Sequence, residues 1–200
     1  MRGAPQIGEG VSGVGLGDDG ERLAAAVARG DAEATRRLVE VVGSVILDAV
    51  RMVLGPNHAD FEAVTERALM HLVESMGTFG GECSVSHVAG RVAVVAALAS
   101  RRHTHDHRIS VADRERRHDA AAPESPVSAE VEARRRRDTL RELLDELPEA
   151  IGEAMALRFM LGYSVDEIAA VTQIPLDAVW SRLRIGNERL RTKLDPLSKT

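Results

Sequence analysis

Two hundred residues suit one or two domains, and a net charge of −5 excludes a uniformly basic nucleic-acid coat. Apolar residues make up 44% of the chain but aromatics only 2%, so any core is built from Ala, Val and Leu. The single cysteine, Cys83, excludes an internal disulfide framework and a Cys-based zinc site. It reads as a small packing residue in a reducing cytosol. No apolar run approaches the ~18 residues of a membrane span, and the first twenty residues lack a signal-peptide core. A cytoplasmic chain with no membrane insertion is expected.

Ala and Leu favour helices, and no long β-branched alternating run competes. The expected fold class is all-α: two small helical domains joined by a flexible linker, the C-terminal one with a helix-turn-helix. Residues 1–20 are Gly-rich and read as a flexible tail. Gly15-Leu16-Gly17-Asp18-Asp19-Gly20 matches a dinucleotide-binding glycine pattern in form only. No strand precedes it, and Asp18 and Asp19 would repel a pyrophosphate.

The first helix is expected from Glu21 to Arg29. Asp31 then caps a longer helix whose stripe of Leu38, Val42, Val45, Ala49 and Val53 recurs at helical spacing. Gly55-Pro56 ends it. Asp60 is the expected cap of a third helix, with Phe61, Val64, Ala68, Leu72 and Met76 inside and Glu62, Glu66, Arg67, His71 and Glu74 outside. A loop from Gly77 to Gly81 leads to a fourth helix, from Ser84 or Ser86 to about Arg102. Val88, Val92, Val95, Ala96 and Ala99 are its expected inner face. Residues 21–102 thus read as one helical bundle.

From 103 to 126 the pattern fails, and the stretch reads as a linker. His103, His105 and His107 have a metal reading and a solvated or phosphate-facing one; the second fits better, because alternate spacing suits a strand that nothing nearby predicts. Residues 127–200 form the second domain. Its first helix carries the run Arg134 to Arg137, read as a solvated face, and an inner face of Leu140, Leu143, Leu144 and Leu147. Pro148 permits a new helix start, with Ile151, Met155, Leu157, Phe159 and Met160 as its apolar content.

The stretch after Gly162-Tyr163 carries the most information. Ser164 and Glu167 have capping-box spacing, Ile168 and Val171 point inward, and Pro175 starts the last helix. There Val179, Leu183, Gly186 and Leu190 share the expected buried face. Asp177, Trp180, Ser181, Arg184 and Glu188 are pushed outward, toward a major groove, with Arg182 and Arg189 placed for phosphates. Trp180 has two readings, a groove contact or a partial core residue. The helix ends basic, with Arg191, Lys193 and Lys199, on an acidic protein. No catalytic constellation, cofactor motif or metal-spaced cluster is found, so the chain is not read as an enzyme.

Leu147-Pro148-Glu149, Leu157-Arg158-Phe159, Gly162-Tyr163-Ser164, Glu167-Ile168-Ala169, Ile174-Pro175 and Ser181-Arg182-Leu183 resemble, in one order, region 4 of bacterial sigma factors of the extracytoplasmic-function group. The resemblance implies a −35 promoter reader built on Asp177, Ala178, Trp180, Ser181, Arg182, Arg184 and Arg189. More weakly, residues 21–102 are similar to region 2, which contacts polymerase and the −10 element. That implies a polymerase surface at Glu62, Glu66 and Arg67, and −10 contacts from Phe79, Arg91, Arg101 and Arg102.

The departures fall mostly in that half. Ala63 and Glu66 stand where the family usually has Asp and Gln, and Val88, Val94 and Val95 stand where it has a Trp and an Arg-Asn pair. In the reader, Gln173 replaces a frequent Gly, and Ala178 and Trp180 replace a common Thr and Lys. The implied function is promoter-directed transcription initiation, with core RNA polymerase, promoter DNA and an anti-sigma factor as partners. The runner-up is a sigma-derived regulator that binds without opening promoters. A metal-sensing module on His103 to His107 comes third.

Overall fold

The computed structural model describes residues 17–112 and 129–194, with side chains described for 19–104 and 137–193. Every regular element among them is helical. The Gly-rich stretch before Gly17, the segment 113–128 and the side chains of His105, His107 and Arg134 to Arg136 lie outside that description.

Helix α1 spans Gly17–Ala28. It starts inside the expected tail, since Asp18 and Asp19 are acidic residues at a helix N-terminus, where the backbone dipole favours them. Helix α2, Ala32–Leu54, begins as expected at Asp31, whose carboxylate accepts from the Glu33 and Ala34 amides. Such a cap contributes about 1 kcal/mol. It ends at Gly55, at φ 100°. Its buried face is Leu38, Val42, Ile46, Ala49, Val50 and Val53; Val45 is only half-buried.

Helix α3, Phe61–Ser75, buries Val64, Ala68 and Leu72. Asp60 precedes it but makes no side-chain cap. Its carboxylate instead accepts a 2.8 Å bond from the Ser100 hydroxyl of the next helix, so a residue expected to close one helix ties two together. A 3-10 turn at Met76–Thr78 follows.

Helix α4, Val85–Ala112, corrects two expectations. It runs through Arg102 into the expected linker, because no Gly or Pro interrupts 91–112 and a change to polar residues does not break a helix. Of its expected inner face only Ala96 is buried. Val85, Ala89, Ala93, Val94, Ala97 and Leu98 are buried, whereas Val88, Val92 and Val95 are half-buried and Ala99 is exposed. The helix packs against α2, α3 and α6, and burial on several sides erases a single-stripe pattern.

The C-terminal half follows its reading closely. Helix α5, Ala129–Glu146, buries Leu140, Leu143 and Leu144, with Leu147 beyond its end. Helix α6, Glu149–Phe159, is buried on all sides from Gly152 to Leu157. Helix α7, Val165–Thr172, and helix α8, Leu176–Leu194, complete the fold. The two halves are docked on one another, chiefly through α4 against α5, α6 and α7. No described helix is long and apolar enough to cross a membrane.

Candidate DNA-reading site

Helix α7 is short and depends on its ends. Ser164 Oγ accepts from the Glu167 amide at 3.1 Å, and the Glu167 carboxylate accepts from the Ser164 amide at 2.7 Å. The expected capping box is therefore complete. The backbone bond from Ser164 holds the Glu167 carboxyl below its ordinary range, with His87 and Arg158 contributing charge. At the far end Gln173 sits at φ 55°, ψ 36°, the left-handed turn that lets the chain reverse. A non-glycine residue is costly there, by roughly 1–2 kcal/mol before local hydrogen bonding.

Pro175 then opens α8, its carbonyl accepting from the Ala178 and Val179 amides. Val179 and Leu183 are buried, Gly186 is buried and Leu190 half-buried, as their spacing predicts. Gly186 permits the approach to α6. A Cβ there would stand 2.5 Å from Met155 Cγ and collide with the sulfur.

With that face fixed, Asp177, Trp180, Ser181, Arg184 and Arg189 are exposed, and Ala178 and Arg182 lie half-exposed at the margin. Trp180 is 58% exposed, which removes the partial-core reading. Beside it the Phe159 ring is 47% exposed, and both rings line a groove with Val165, Arg184 and Arg191. In the sequence Phe159 reads only as part of the apolar content of its helix, with no role at the site. The available signal was its position at the end of α6, after Arg158, whose guanidinium donates to the Tyr163 carbonyl at 2.8 Å.

The residues of the N-terminal half are placed differently. Glu62, Glu66 and Arg67 are exposed on α3, beside the exposed Met70. Phe79 is half-buried against the core, and Val94 is fully buried. Arg91, Arg101 and Arg102 all have carboxylate partners in the other half: Glu153, Asp145 and Glu149, at 2.7, 2.6 and 2.9 Å. Burial pushes the Cys83 thiol up, with Glu82 adding to it, so it is poorly disposed to act as a thiolate. His103 is exposed, and no group of metal-ligating side chains occurs among the described residues.

The family description "Sigma-70, region 4" matches residues 137–186. RNA polymerase sigma-H factor of Pseudomonas aeruginosa is 30% identical over 189 residues, covering 88% of this chain and 94% of its own. Among solved structures, CnrH in complex with the cytosolic domain of CnrY shares the fold. It has TM-score 0.53 and 21% identity, over 88% of this chain and 97% of that one. The sigma factor RpoE in complex with the anti-sigma factor NepR, from Bartonella quintana, has TM-score 0.47 and 17% identity, over 80% and 95%. The family is one of non-catalytic transcription initiation factors that bind core RNA polymerase. The chain belongs to the sigma-70 family and is an RNA polymerase sigma factor.

Proposed function

We propose that this sigma factor divides its work between the two halves. Residues from Glu21 to the end of α4 engage core polymerase and the −10 element, and α5 to α8 read the −35 element. The observation that carries this is the orientation of α8. One face is locked on Met155 through Gly186, and the opposite face presents Trp180, Ser181 and Arg184.

Arg184 and Ser181 donate to base edges, and the Trp180 ring packs on a thymine methyl or sugar. Arg182 and Arg189 hold phosphates, with Asp177 and Ala178 at the helix N-terminus nearest the bases. On α3, Glu62, Glu66 and Arg67 meet polymerase. On the −10 side the contacts are Phe79, Arg91, Arg101 and Arg102. An anti-sigma protein that covers these surfaces fits the same reading, as does a cytoplasmic location with polymerase.

One observation favours the second reading, a regulator that does not open promoters. Base capture by a ring is worth about 1–3 kcal/mol, yet α4 carries no aromatic side chain other than histidine and Phe79 is half-buried. Run-off transcription with purified core polymerase on genomic fragments separates the two. New start sites that disappear with Arg184→Ala support the proposed division. DNA binding without any new start site leaves the regulator.

A further inference from the structure

Exposed rings are scarce in this chain, and the two it has share one groove. Phe61 and Phe79 are half-buried and Tyr163 is buried, whereas Phe159 and Trp180 stand largely in solvent. Both line a concavity of about 760 Å³ whose apolar lining includes Val165 and Leu183. Two rings left in water forgo burial that the core could have given them, and the volume falls in the range of small-molecule sites.

The same groove is bordered by Arg158, Arg184 and Arg191. Arg158 is fixed by its bond to the Tyr163 carbonyl. Arg184 and Arg191 lie four and three residues from Glu188, a spacing at which helical ion pairs form. Even so, neither has a carboxylate within ion-pair distance among the described residues. Trp180, Arg184 and Arg191 follow one another along one face of α8. Along the axis Arg184 lies about 6 Å and Arg191 about 16 Å beyond the ring.

An intact duplex presents the edges of its bases in the major groove, never their faces. A ring face beside unpaired guanidinium groups suits a base that is out of the stack, with its phosphates alongside. We propose that the groove binds a free nucleotide. The base stacks on Trp180 and is bounded by Phe159, the first phosphate meets Arg184, and the terminal phosphates reach Arg191. Asp177, whose Oδ1 accepts from the Ala178 amide at 3.0 Å, borders the base end and takes an exocyclic amine. Glu188 lies between the two arginines and opposes the phosphate chain. Trp180, Ser181 and Arg184 are also the residues assigned to the −35 bases, so an occupied groove excludes the duplex. That competition rests on the reading of α8 as the −35 helix; the nucleotide site does not.

Isothermal titration calorimetry of the full-length chain with adenosine, AMP, ADP, ATP and tripolyphosphate tests the site. The expected result is one ligand per chain, with affinity rising from adenosine to AMP and again to ADP and ATP. Trp180→Ala weakens every nucleotide by about tenfold, and tripolyphosphate, which has no ring to stack, falls short of ATP by a similar factor. Arg184→Ala weakens each ligand that carries phosphate. Arg191→Ala weakens ADP and ATP and leaves AMP unchanged, while Glu188→Gln tightens ATP. All four positions are exposed, and matching urea midpoints separate a loss of binding from a loss of fold.

An absence of heat with millimolar ATP overturns the site. So does tripolyphosphate that matches ATP, or an unaltered affinity in Trp180→Ala. Tetradeoxyadenylate carries the same base and phosphates on a single strand; tighter binding than ATP would give the groove to an unpaired strand and overturn the free nucleotide. In the competition arm, ATP is expected to displace a −35 duplex from the wild type. ATP that binds through Trp180 and leaves the duplex in place supports the nucleotide site, overturns the competition and moves the −35 contacts off this face of α8.

Discussion

Helix α4 lies among α2, α3 and α6, while α8 rests on α6 and α7 and leaves one long face to solvent. Both helices carry arginines, with opposite fates. Arg91, Arg101 and Arg102 of α4 meet carboxylates across the junction. Arg184 and Arg189 of α8 are exposed, and among the described residues Lys193 at the end of that helix pairs with Glu146 at 2.7 Å. What decides whether a cation is available to DNA is the surface opposite it, which the helix's own sequence does not contain.

The contrast can be broken most forcefully from inside. Leu183→Ala removes the fully packed anchor that orients the outward face of α8. It is expected to cost about 2–5 kcal/mol in urea unfolding and to abolish −35 duplex binding. A loss of affinity with intact stability would mean that Leu183 itself faces DNA. Next in size is Ser164→Ala, which deletes half of the capping box and should cost about 1 kcal/mol in the same unfolding experiment.

The comparison is sharpened by salt. If Arg189 holds a phosphate, Arg189→Ala lowers the slope of log affinity against log salt by about one for a −35 duplex. Arg101→Ala, on α4, should leave that slope unchanged. An equal effect of the two would erase the distinction between α4 and α8. A smaller change comes from Gln173→Gly, which relieves the left-handed residue. The expected gain is about 0.5–1 kcal/mol, visible as a raised Tm without altered DNA binding.

The smallest effect is a pH dependence. Glu167 has its carboxyl lowered in the fold, so its contribution is present above the unfolded carboxyl pKa. It is lost as pH falls through the folded value. Wild type and Glu167→Gln should therefore differ in stability at neutral pH and converge in acid. Convergence on the alkaline side instead would remove the carboxylate from the cap.

The same contrast explains what could be read from the chain alone. In α8 a single buried stripe sits on one neighbouring surface, so Val179, Leu183 and Gly186 were placed by spacing. The Ser164–Glu167 cap was legible because both partners lie within four residues. In α4 only Ala96 of the predicted stripe is buried, since packing against α2, α3 and α6 puts Ala89, Ala93 and Ala97 inside rather than Val88, Val92 and Val95. The change to polar residues after Arg102 reads as a linker, yet polarity alone does not break a helix and no Gly or Pro stands between 103 and 112. Asp60 reads as the cap of its own helix, whereas its carboxylate takes Ser100, forty positions away. Asp145, Glu149 and Glu153 could be seen as a repeat, but nothing local tells which cations they meet.

The chain has a single tyrosine and a single tryptophan, and the fold places them where the two halves do different things. Tyr163 is sealed in the junction, its phenol pushed above the ordinary range by burial and then by Glu167. Trp180 stands in solvent on the outward face of α8. Intrinsic spectroscopy therefore needs no label to follow either event. Alkaline tyrosinate absorbance comes late while Tyr163 is buried and returns toward ordinary phenol behaviour once it is exposed. Indole emission, meanwhile, responds to whatever covers α8.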